Sequence, residues 1–176
     1  SIGFPSIVMQ TIGSFVTYVM NTILIGFTST AVSVYGVYIR LQGFVWMPVF
    51  GINNSIVSII AYNFGAKNRK RIIDTIKLSL SVAFVLNFLG FIVFQIMPET
   101  LLALFGASGQ MLEIGIPALR IVSFSFIFSG IGIVSASVFQ ALGNGKLSAV
   151  NSISRQLVFT VPLAYILSNI YGLNGI

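Results

Sequence analysis

From Pro5 to Ala66 the only charged side chain is Arg40. No water-soluble fold can be coated from such a stretch, and the rest of the chain is little different. Only 7% of its 176 residues are charged and 56% are hydrophobic, where soluble domains carry about 25% charged residues. In a bilayer apolar surface can stay outward, provided every backbone group is bonded within its own segment. The chain therefore reads as an all-α integral membrane protein.

Five segments are long enough to cross, with boundaries at about 5–25, 31–64, 72–96, 114–142 and 147–170. Each supplies the roughly 20 residues that a ~30 Å hydrocarbon core requires. The second is the longest. As one helix it would run about 51 Å, with Pro48 and Gly51 near its middle predicting a kink or tilt. Pro98 to Glu113 reads as a loop between spans, with a short interfacial helix over Leu101 to Phe105. Gly143-Asn144-Gly145-Lys146 reads as a tight turn. The odd number of spans predicts a partner helix outside the chain, so that residues 1–176 form one partial transmembrane lobe.

The bases fix an orientation. Lys67, Arg69, Lys70 and Arg71 lie within five positions, four of the chain's nine basic residues, and Lys146 recurs in the later turn. The loops at 26–30, 98–113 and 171–175 hold none. Lys and Arg next to a span resist translocation, so the basic loops are expected on the cytoplasmic side. In a soluble protein a net charge of +6 would point to nucleic acid. Here it sits in loops, where topology explains it first and contact with anionic headgroups second. Membrane lipid, and no nucleic acid, is the expected partner.

Enzyme chemistry lacks its usual residues. Histidine and cysteine are absent, and the only acids, Asp74, Glu99 and Glu113, fall at span edges or in loops. That leaves no general acid–base pair and no metal set; no catalytic residue, metal or cofactor is expected. What remains is polar side chains at membrane depth. Arg40, about 13 Å from the start of the second segment, has two readings. It faces a water-filled cavity, or it snorkels to headgroups. Gln42 and Asn53 share a helical face with Trp46, and Asn54 follows; together with Arg40 they are too polar for a lipid-facing helix. They line a substrate cavity or hydrogen-bond between helices. Asn21, Asn87 and Gln95 read as packing residues, Arg120 as an interfacial anchor, and Arg155 as a snorkelling or inter-loop contact. Phe124, Phe126 and Phe128 cannot share one helical face and read as lipid or core filler.

These residues resemble one family in order and spacing. Gly3-Phe4-Pro5 opens the first span, and Tyr35 to Gln42 leads to Met47-Pro48-Val49-Phe50-Gly51. Ala61-Tyr62-Asn63-Phe64-Gly65-Ala66-Lys67-Asn68 with Arg71 follows, then Phe139 to Lys146, Arg155-Gln156 and Val161-Pro162-Leu163. The pattern resembles the multidrug and toxic compound extrusion (MATE) transporters, specifically the carboxy-terminal lobe. The resemblance implies five helices of a six-helix lobe in a twelve-helix transporter of the plasma membrane, the inner membrane of a bacterium. It implies export of organic cations or other amphiphiles by alternating access, in exchange for sodium ions or protons, with an amino-terminal lobe of the same chain as partner. Some members carry acidic coupling residues in the first and fourth helices of this lobe. Segments 5–25 and 114–142 hold none, so the coupling ion is expected to bind outside this stretch. A lipid-linked saccharide flippase of the same superfamily, with Arg40 meeting pyrophosphate, is the nearest alternative, and a non-transporting membrane scaffold the more distant one.

Overall fold

The structure, a computed structural model, describes residues 3–154 and Pro162. Six helices follow in order: α1 (Gly3–Ile25), α2 (Ser29–Gly65), α3 (Arg69–Ile96), α4 (Pro98–Ala103), α5 (Gln110–Ala141) and α6 (Gly145–Ile153). No strand occurs among the described residues. Three of the helices, α2, α3 and α5, are long and apolar enough to cross a membrane, and α1 is apolar over Gly13–Ile25. The expected fifth span and its Arg155 and Gln156 lie mostly outside the described residues.

Side chains at the helix ends explain where the elements start. The Thr28 hydroxyl accepts from the Ala31 backbone N–H at 3.0 Å and caps α2. The Asn68 side-chain Oδ1 accepts from the Arg71 N–H at 3.2 Å and caps α3, a device worth about 1 kcal/mol. That cap corrects the expected loop: α3 starts at Arg69, so Arg69, Lys70 and Arg71 form its first turn, and only Lys67 stays in the connection. Pro98 opens α4 one residue after α3 ends, where its missing N–H removes no helical bond. The α4–α5 connection turns at Gly106 and Gly109, both with positive φ. The α5 helix starts at Gln110, earlier than the reading from composition, and takes Glu113 into its first turn, where the helix dipole favours an acid.

The core is a three-helix seam. Three buried clusters are stacked along α2, α3 and α5 from the α4 end to the α2–α3 turn. The first gathers Val37, Leu41, Phe94, Leu119 and Phe126 with Leu102 of α4. Val49, Ala83, Ile133 and Val134 form the second. Ile56, Ile60 and Ala141 form the third. Close approach depends on glycine: a methyl on Gly115 would stand 2.7 Å from Leu102 Cδ1, and one on Gly90 2.6 Å from Val45 Cγ1. Two amides between α3 and α5 are paired, as hydrocarbon surroundings favour. Asn87, fully buried, donates to the Ala83 carbonyl at 2.8 Å and accepts from the Ser129 hydroxyl at 3.1 Å. Gln95 crosses from α3 to α5, donating to the Arg120 carbonyl and the Ser123 hydroxyl, both at 2.9 Å.

Candidate functional site

One face of α2 packs on α3 and α5; the opposite face is open from end to end. Stepping by three or four residues, it presents Ser33, Gly36, Arg40, Phe44 and Met47, then Gly51, Asn54, Ser58 and Tyr62, all exposed. The open faces of the neighbouring helices have a different chemistry. On α3 they show Leu78, Val85, Leu89, Val93 and Ile96, and on α5 Ile121, Phe124, Phe128 and Ile131. Those side chains suit lipid. A guanidinium, an amide, two serine hydroxyls and two glycines on one stripe do not, because hydrocarbon leaves polar groups unpaired.

Arg40 stands about 16 Å along the helix from Ser29. No ion pair involves it among the described residues, and the chain's three acids belong to the first turns of α4 and α5 and to α3. Its charge therefore needs either water or a group outside the described residues.

The structure divides the five sequence candidates. Arg40 and Asn54 lie on the open stripe, whereas Gln42, Trp46 and Asn53 are half-buried on the flank of α2. Trp46 packs against the Val49–Ile133 cluster. On that flank the Trp46 indole Nε1 and the Asn53 Oδ1 are buried with no hydrogen-bond partner among the described residues. Gln42 donates to the Tyr38 hydroxyl, which lies near Ser125 of α5. One turn away, Tyr35 lies near Thr17 of α1, and the two tyrosine rings lie 6.1 Å apart. A polar line thus runs from α1 across α2 to α5 beside the open stripe. Reading the sequence for site residues misses Tyr35 and Tyr38; their spacing of three on a helix carrying Gln42 is the available signal. Lys67, Arg69, Lys70 and Arg71 are all exposed at the far end of α2. No group of three or more metal-ligating side chains comes together among the described residues.

The fold and the stripe define a polytopic helical membrane protein with one exposed helix face more polar than those of its neighbours. A sequence profile of the MatE family matches residues 5–166, and the chain belongs to that family. It is 27% identical over 175 residues to the multidrug export protein MepA of Staphylococcus haemolyticus (strain JCSC1435). It is 29% identical over 178 residues to MepA of Staphylococcus aureus (strain bovine RF122 / ET3-1). Each match covers 99% of this chain and 38% of the relative, so the chain spans about two fifths of their length. Among solved structures, an outward-facing multidrug resistance MATE transporter of the MOP superfamily superimposes with a TM-score of 0.92 at 23% identity, covering 98% of this chain and 40% of that one. The MATE multidrug transporter DinF-BH matches with a TM-score of 0.84 at 34% identity, over 99% of this chain and 39% of that one.

Proposed function

We propose that this chain is one lobe of a two-lobe secondary-active exporter. It moves organic cations or other amphiphiles out of the cell by alternating access, in exchange for sodium ions or protons. The observation that carries the proposal is the open stripe of α2, polar where its neighbours are apolar, in a chain of the MatE family. The stripe lines a central cavity closed by a second lobe of the same chain, and Arg40 and Asn54 are its substrate-facing polar groups. The half-buried line of Gln42, Trp46 and Asn53 backs it. No acid lies in the described membrane-long helices away from their ends, so the coupling carboxylate belongs to the second lobe. The protein sits in the plasma membrane with the α2–α3 turn in the cytoplasm, and it is not an enzyme.

The test is the two-lobe protein in proteoliposomes, with efflux of a cationic dye followed under an imposed sodium or pH gradient. Gradient-dependent dye movement is expected, and Arg40→Ala should change its rate or the range of dyes accepted. Absence of gradient-driven movement for every amphiphilic cation tried would sink the proposal. The unpaired charge of Arg40 favours one second reading, a lipid-linked saccharide flippase. Competition of dye efflux by a pyrophosphate-bearing lipid, lost in Arg40→Ala, would select it.

A further inference from the structure

The four bases at the α2–α3 turn are used by nothing in the packing of the helices. Lys67, Arg69, Lys70 and Arg71 are all exposed, and among the described residues no ion pair joins them to Asp74 or to any other acid. Their placement is unfavourable within the chain itself. Three of them occupy the first turn of α3, which has no acid, where the helix dipole already presents positive charge.

The turn is nevertheless built rigidly. The Asn68 N–H donates to the Asn63 carbonyl at 2.9 Å, and Lys67 and Ala66 donate to the Phe64 and Tyr62 carbonyls at 3.1 and 3.0 Å. Asn63 is buried and its amide donates to the Ile59 carbonyl at 2.8 Å. The Asn68 cap then holds Arg71 in place. Lys67 takes a φ of 54°, a left-handed conformation that a non-glycine residue adopts at some energetic cost. A connection of three residues between two membrane-long helices cannot carry these cations away from the headgroup layer. Phe64, 55% exposed, stands beside them on a different face of α2 from the stripe, an apolar ring next to the headgroup layer.

We propose that the α2–α3 turn is a docking site for anionic phospholipid headgroups, whose phosphodiesters lie against Lys67, Arg69, Lys70 and Arg71 while the acyl chains run past Phe64. The charge complementarity is that of clustered bases next to a span, here presented by a preformed turn rather than by a flexible tail. The site is separate from the substrate stripe and does not depend on transport.

The experiment uses the two-lobe protein in nanodiscs of phosphatidylcholine with a minority of phosphatidylglycerol, and native mass spectrometry to count the lipids it retains. The parent should hold phosphatidylglycerol about threefold or more above its bulk share, an enrichment that shrinks as salt is raised. Changing Lys67, Arg69, Lys70 and Arg71 all to Gln should return retention to the bulk share. Should that variant fail to insert, Arg69→Gln with Lys70→Gln, which leaves two bases to set orientation, should remove about half of the enrichment. A parent with no preference for phosphatidylglycerol, or a folded variant with the parent's preference, overturns the site. Because lipid retention is read without any gradient or dye, a protein that exports nothing still answers the question.

Discussion

Gly90 and Val45 set how closely α2 and α3 approach. An alanine methyl at 90 would stand 2.6 Å from Val45 Cγ1, well inside van der Waals contact. Overpacking of this kind costs about 1–3 kcal/mol, and the better helix propensity of alanine offsets about 1 kcal/mol of that. Gly90→Ala is therefore expected to lower the Tm in detergent, and adding Val45→Ala should recover most of the loss. Gly51 is the contrast. It lies on the open stripe, where an added methyl would meet nothing within 4 Å, so Gly51→Ala should leave the Tm within error of the parent or slightly above it. Neither role is legible from residue type alone, since both glycines sit in apolar helices of similar composition. What separates them is the partner each one faces.

At the scale of elements, the α3–α5 seam is held by amide and hydroxyl groups in an apolar setting. Asn87 and Ser129 meet at its middle, and Gln95 reaches Arg120 and Ser123 nearer the α4 end. A double-mutant cycle with Asn87→Ala and Ser129→Ala, read by unfolding in bicelles, should show a coupling of about 0.6 kcal/mol and not above about 1.7. Zero coupling would reduce the contact to coincidence. The helices and most of their limits are readable from charge, proline and glycine, and Asn87 and Gln95 do pack between helices as their residue types imply. Which face each helix buries is not readable. In a soluble helix the apolar stripe marks the core, but lipid is as apolar as the interior, so the period fades. Phe126 is fully buried while Phe124 and Phe128 are 56% and 72% exposed, and nothing in three alternating phenylalanines distinguishes them. The same ambiguity groups Gln42, Asn53 and Arg40 together as candidates although they occupy different flanks of α2.

For the molecule as a whole, the difference between the polar stripe of α2 and the apolar faces of α3 and α5 predicts two solvents. The chain has no cysteine of its own, which suits a labelling test in the two-lobe protein. Single cysteines at Met47 and Ser58 should react with a water-soluble thiol reagent faster than cysteines at Val85 and Phe128, and bound substrate should slow the first pair only. Equal, slow rates at all four positions would put the stripe against lipid or a packed helix and remove it from the cavity.

The length of α2 carries one more consequence. Its 37 residues make a rod about 55 Å long, fastened at one end by the rigid turn over Asn63 to Asn68. At the other end it is moored by the Thr30 hydroxyl, which donates to Gln110 Oε1 at 3.3 Å. Such a rod is a lever. A tilt of about 10° about the turn sweeps the Thr30 end through about 10 Å, so a small rotation near the basic residues becomes a large displacement at the far side, with Pro48 the point along the arm where it can flex.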